Sequence, residues 1–339
     1  MLRCVRVAYK TPWKAKLNAR QTRLSEARLT FGGSRTGCMN SKPSARGRAA
    51  PGDARGRGNG TRTPNRPAMS AARQRSDPTW AAILPGALAF ATAELVVVFF
   101  HECCHAIAAR ALGFFPSVYA FYENNPSGTP FQDIVIAAAG PLGSLVSGFA
   151  IFVLARRQRG YSYVHLLVFW LGVLGVTEFI NYLIVTPWLT GGDTGLIAER
   201  LGLPVYARYL VSLAGWLLLG LFGAAVARAA LHIAPSGVAL SAPYERKRYL
   251  RRMLLLPYLL GLVLYAPAAI GTKPFFVLLG FLGTAGAAGV LQSAVFAANR
   301  ARETDRPKAA PPKVEPLAVV AYLGCVVFYV TVLAHGLPI

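Results

Sequence analysis

Apolar runs long enough to cross a bilayer occupy about residues 82–112, 133–155, 163–188, 205–232, 250–271, 274–298 and 316–336. Runs of this kind leave few folds open. A hydrocarbon core offers no hydrogen bonds to the backbone, so each run must close its own as a helix. The loops between runs are short and leave no room for a soluble catalytic domain. The expected fold is an all-α polytopic transmembrane helix bundle. The boundary between the fifth and sixth runs rests on "GTKP" at 271–274, and Pro257 and Pro267 blur it. Six to seven spans are therefore expected, with seven preferred. The composition agrees: 54% of the 339 residues are hydrophobic, 15% are charged, and the mean hydropathy is +0.41.

The formal net charge of +22 is unevenly placed. Residues 1–80 hold 18 Lys and Arg against 3 acids, whereas residues 81–339 hold 18 against 11. The first 80 residues are rich in Arg, Gly, Pro, Ser and Thr and show no apolar period, which reads as a disordered basic segment. It lacks the interleaved aromatics of an RNA-binding arm, so no nucleic-acid partner is expected. No apolar core follows its basic start, so it is no signal peptide. Met69 opens "MSAARQRSDPTWAAILPG", which reads as a natural cytoplasmic start before the first span. Residues 1–68 are expected to be dispensable on that reading. The five cysteines (Cys4, Cys38, Cys103, Cys104, Cys325) show no spacing of a disulfide framework or a cysteine zinc module.

Loop charges alternate. "ARQR" (72–75), "RRQR" (156–159), "ERKRYLRR" (245–252) and "RARETDRPK" (300–308) are basic, while the loops at 113–132 and 189–204 are not. The positive-inside rule then puts the N-terminus and every second loop in the cytoplasm. The expected location is a multi-pass position in a bacterial plasma membrane.

The first run contains "FFHECCHAIAAR" (99–110), a His101-Glu102-x-x-His105 pattern. Ionisable groups at such depth are expensive and point to function. On a helix, positions i and i+4 lie about 40° apart and one turn up, so both imidazoles can grip one metal ion. Glu102, about 100° round from His101, can reach a metal-bound water. Zinc brings the pKa of that water to about 7, and a carboxylate can take its proton as it attacks a carbonyl. Cys103 and Cys104 read as small packing residues rather than ligands.

A catalytic zinc needs a third protein ligand and an open position. Glu94, Glu123, Asp133, His165, Glu178, Asp193, His232 and His335 are the acids and histidines in or near spans. Asp193 stands in "TPWLTGGDTGLI" (186–197), where flanking glycines let the backbone bend beside a ligand. Spans one and three run in the same direction, which brings Asp193 to the face that His101 approaches. An N-cap for the following helix is the competing role for this aspartate. Glu94 and Glu178 read either as partners that fix the tautomer of a ligand histidine or as polar glue between helices.

These residues resemble the site-2 protease class of intramembrane zinc metallopeptidases, as a divergent member, over about residues 82–200. HExxH lies in a first core span. "AAAGPLGS" (137–144) is similar to that family's Ala-Gly-Pro-x-x-Asn element, with Gly140 and Pro141 in place and Ser144 where Asn is usual. "NYLIVTPWLTGGD" (181–193) is similar to its Asn-x-x-Pro…Asp-Gly element, with Asn181, Pro187 and Asp193 present and Thr194 before Gly195. The resemblance implies one zinc ion held by His101, His105 and Asp193, with Glu102 as general base. It implies Asn181 as a hydrogen-bond donor to the substrate, and Gly140 and Pro141 as part of the cavity wall. The implied organisation is a three-span catalytic core at 81–200 and additional membrane helices at 201–339. The implied substrate is a membrane-protein helix, unwound locally so that its peptide bond can be cut. "SVYAFYENNPSGTP" (117–130) is expected as a plain loop, with a substrate-gating edge as the alternative. A membrane zinc hydrolase of a lipid or small amide or ester also fits the motif, as does a non-catalytic metal-retaining binding or transport protein.

Overall fold

The structure, a computed structural model, describes residues 82–339 except 127, 159, 161, 235–239, 273 and 300–313. The basic segment 1–80 and the proposed start at Met69 lie outside the described residues. The chain runs through α1 (Ile83–Ala111), β1 (Ser117–Tyr119), β2 (Tyr122–Asn124), α2 (Pro130–Arg157) and α3 (Tyr163–Val185). It continues through a short α4 (Asp193–Arg200), α5 (Val205–His232), α6 (Pro243–Leu250), α7 (Leu256–Tyr265) and α8 (Pro274–Ala297). It ends with α9 (Pro316–Phe328) and β3 (Leu337–Pro338).

Six helices among the described residues are long and apolar enough to cross a membrane. They are α1, α2, α3, α5, the continuous stretch Pro243–Ala269 that contains α6 and α7, and Pro316–Leu333, which begins with α9. The remaining apolar run forms α8, a helix of 24 residues. The break at "GTKP" is real: helix ends at Ala269, Gly271 takes φ +85°, and α8 begins at Pro274.

The bundle is not wholly α-helical, which corrects the expectation of a plain loop after α1. Strands β1 and β2 pair as a hairpin, with Val118 opposite Glu123 and Tyr119 opposite Tyr122. β3 adds to the other side of β1, giving the order β2-β1-β3. The segment supplies Val118, Tyr119 and Tyr122, which suit extended backbone. Val118, Ala120 and Phe121 are buried together with Leu95, Tyr265 and Tyr329.

α1 is the central helix, packed by α2, α3, α7 and α9. Phe90 holds it edge-on against Trp170 and Tyr258, with ring centroids 5.2 and 5.4 Å away. Tyr163 donates to Thr92 Oγ1 at 3.2 Å, and Tyr329 to the Leu95 carbonyl at 2.6 Å. α2 meets α3 through small residues: a Cβ on Gly148 would fall 2.6 Å from the Gly175 carbonyl carbon. Outward faces carry large apolar side chains, among them Val146, Phe149, Leu217, Leu221, Val263 and Val320, all exposed. Exposed apolar surface on that scale suits a lipid environment.

Candidate metal centre and its cavity

The i, i+4 spacing on α1 does what helix geometry dictates. His101 and His105 are buried, and their Nε2 atoms stand 3.0 Å apart. Asp193 Oδ2 lies 3.1 Å from His101 Nε2 and 3.2 Å from His105 Nε2. The three atoms form a nearly equilateral triangle. Among the described residues these three make up the one group of His, Cys, Asp or Glu donors close enough to hold a metal ion.

The far side of each ring fixes its role. His105 Nδ1 donates to the Ile136 carbonyl at 2.7 Å. A carbonyl only accepts, so in the neutral ring Nδ1 carries the proton and Nε2 turns a lone pair toward the triangle. His101 Nδ1 lies 3.2 Å from the buried Ser144 hydroxyl, which can accept in the same way. Tyr182 stacks on His101, with rings 5.2 Å apart and 5° from parallel. Three acceptors converging at this range need something positive among them. Donors bound about 2.0–2.1 Å from a tetrahedral zinc stand about 3.3 Å apart, close to the observed edges. The donor set therefore fits zinc.

α2 closes over this group at Gly140. A Cβ there would overlap His105 Nε2 and fall 2.7 Å from His101 Nε2, so no side chain fits. The buried Pro141 follows and, having no N–H, cannot donate to the Ala137 carbonyl, whose residue lines the cavity. Gly143 stands against Cys104, which packs here as a small side chain, as expected.

Asp193 comes in from the turn after α3. Gly192 takes the N-cap position of α4 and Asp193 is its first helical residue, so the N-cap role considered for Asp193 is not the one it fills. The Thr186 and Thr194 hydroxyls reach the Tyr182 carbonyl at 2.9 and 2.6 Å and lie 2.8 Å from each other. This ties the start of α4 to the end of α3. At the other end of α4, Arg200 pairs with Asp133 of α2 at 2.7 Å. Burial alone would raise the Asp193 carboxyl; were the imidazoles protonated instead, His105 and His101 would hold it below the usual carboxylate range.

A cavity of about 870 Å³ opens beside the triangle. Glu102 and His105 line it from α1, Glu123 from β2, Asp133 from α2, Glu178 and Asn181 from α3, and Asp193 from α4. Glu94 lines it two turns before Glu102. Glu123 binds Asn125 Nδ2 through one oxygen at 2.7 Å and leaves the other buried without a partner. Burial pushes its carboxyl up to about 7, opposed by His105 and reinforced by the Glu102 and Asp193 carboxyls.

Of the residues expected at the site, Glu94, Glu102, His105, Glu178, Asn181 and Asp193 line this cavity, His101 and Gly140 lie against His105, and Gly140 and Pro141 are not among the lining residues. The partners that orient the ligand histidines are the Ile136 carbonyl and Ser144, and neither Glu94 nor Glu178 bonds to them. Asn181 Nδ2 donates to the Gly283 carbonyl of α8 at 2.7 Å, which engages one of its two N–H groups. His165 and His335 find partners elsewhere, in Ser162 and the Thr331 carbonyl. Tyr182 carries no expectation in the sequence, and Ser144 is marked there only as standing where the resembled element usually has Asn. Ser144 had a signal, since it lies one turn after Gly140 on the same stripe of α2. No family model matches the sequence, and comparisons with curated proteins and with solved structures found no match.

Proposed function

We propose that this chain is an intramembrane zinc metallopeptidase that hydrolyses peptide bonds of membrane-embedded substrates. The observation that carries the reading is the convergence of His101 Nε2, His105 Nε2 and Asp193 Oδ2 at 3.0–3.2 Å, with Glu102 on the adjoining cavity. When bound, zinc supplies a Lewis acid and an acidified water. Ile136 and Ser144 hold the two imidazoles in the ligating tautomer. Glu102 takes the proton of the attacking water and delivers it to the leaving amine nitrogen. Strand β2 stands at the edge of the sheet on the cavity side, where an unwound substrate segment can approach its backbone. On this reading α8 is the seventh span.

Metal analysis and peptide cleavage test the proposal together. The purified chain should hold one zinc and cut a hydrophobic helical peptide in detergent. Zinc-loaded protein that hydrolyses solubilised lipid but no peptide would move the activity to another substrate class. A chain that binds no zinc would end the metal reading.

The positive-inside rule supports a cytoplasmic start for α1, and the site lies toward the other end of that helix. His101 comes 18 residues after Ile83, about 27 Å along the axis of a span across a core of about 30 Å. The site then serves the extracytoplasmic side. Single cysteines at Ser127 and Gln158, with native cysteines removed, test this in intact cells. An impermeant thiol reagent should label position 127 and spare position 158, and the reverse pattern would invert the topology.

A further inference from the structure

The cavity does not end at the metal centre. It extends back along α1 to Glu94, eight residues before Glu102 and about 12 Å along the axis. Glu94 is 3% exposed, and no hydrogen bond or ion pair joins it to any described residue. Its electrostatic neighbour is Glu178 of α3, which lines the same arm. Gly280 and Gly283 of α8 line the cavity without side-chain bulk, and a Cβ on Gly283 would stand 3.7 Å from Glu178 Oε2. One turn beyond Glu178, Asn181 Oδ1 is buried with no partner. Among the described residues no Lys or Arg lines the cavity, and Arg200 is engaged by Asp133.

Two neighbouring carboxyls in a low dielectric cannot both hold a negative charge unless a positive group joins them. Among the described residues no Lys or Arg stands here, and His101, which acts on Glu178, turns its Nε2 lone pair to the metal centre. Glu94 and Glu178 line the same cavity as Glu102, beside the place where the substrate bond must lie. Val98 and Phe121 add apolar surface to the same lining. A lysine side chain fits these demands: an ammonium with three donors and no acceptor, carried on a four-carbon apolar stem. A bare metal ion fits less well, because hard cations take about six to eight oxygen ligands and the arm offers few.

We propose that the Glu94–Glu178 arm is a specificity pocket for a lysine side chain close to the bond cut in a membrane-embedded substrate. This rests on the peptidase reading and names the residue that such a substrate would carry.

The test uses the zinc-loaded full chain carrying Glu102→Gln, so that bound peptide is not cut. The protein is held in nanodiscs whose lipids carry no primary amine. Two fluorescent, acetylated and amidated peptides are compared, identical Leu/Ala-rich segments with either one lysine or one norleucine. The lysine peptide should bind about 10-fold to 100-fold more tightly, the range of hydrogen bonds to charged groups. Adding Glu94→Gln and Glu178→Gln should remove that preference and leave the norleucine peptide's affinity unchanged, which also reports that the protein is folded. Should the double change prevent insertion, Glu178→Gln alone should reduce the preference. Equal binding of the two peptides, binding of neither, or a preference that survives the glutamine changes would each overturn the pocket. The wild-type chain separates this proposal from the one it rests on. Cleavage of both peptides at equal rates would refute the pocket and keep the peptidase. Lysine-selective binding with no cleavage would refute the peptidase and keep an ammonium site.

Discussion

α1 and the span that begins with α9 are almost equally apolar, yet they occupy opposite situations. In the most apolar stretch of α1, 72% of residues are buried inside the protein, against 22% for Pro316–Leu333. The first carries Glu94, His101, Glu102 and His105, while the second turns Val320, Leu323 and Val327 outward. The difference shows that hydropathy selects helices for the bilayer but does not decide which of them faces lipid. Ionisable side chains decide it, because each needs protein partners or a cavity where lipid offers neither. α1 is central because it carries the groups that cannot face hydrocarbon.

Substitutions on the two helices should therefore differ in kind. The largest effects are expected on α1. His105→Ala should abolish zinc binding, read by metal analysis. Glu102→Gln should keep the zinc and lower peptide hydrolysis by about 10²–10⁴-fold. Normal cleavage by the Glu102→Gln chain would remove its role as base. Next comes Gly140→Val, which touches no donor yet intrudes on both histidines. Loss of zinc from an otherwise inserted protein is the expected result, and full zinc content would show that α2 can move aside. Ser144→Ala is milder. Removing the partner of His101 Nδ1 should weaken metal affinity about 10–100-fold without eliminating binding, measured by competition with a chelator. The smallest effect is expected for Val320→Ala, on a residue 66% exposed. It should leave zinc content unchanged and shift stability by no more than about 0.5 kcal/mol in a thermal melt. A large loss there would mean that the outward face of α9 is an interface rather than a lipid contact, and the contrast with α1 would fall.

Much of the site was legible because it is written in local spacing. HExxH on an apolar helix fixes where two imidazoles point, and Gly140-Pro141 marks a helix face that must come close. "TGGD" marks a bend that can deliver a carboxylate from another span. The hairpin was harder to read. Its strands are three residues each, too short for a clear alternation, and they become a sheet only when β3 arrives from the far end of the chain.

The sequence by itself determined the apolar helices, the pair of histidines one turn apart and the carboxylates carried into the bilayer, because these follow from periodicity and composition. Only the tertiary structure decided which group orients each histidine. One orienter is a hydroxyl 43 residues from His101, and the other is the carbonyl of Ile136, 31 residues from His105. Every residue has a carbonyl, so its side chain gives no sign of that role. The tertiary structure also decided that Asp193 faces the histidines rather than caps its own helix, and that Glu94 and Glu178 share one arm of a cavity. Those outcomes depend on how α1, α2, α3 and α4 pack, and that is set by shape complementarity among distant segments rather than by any local pattern.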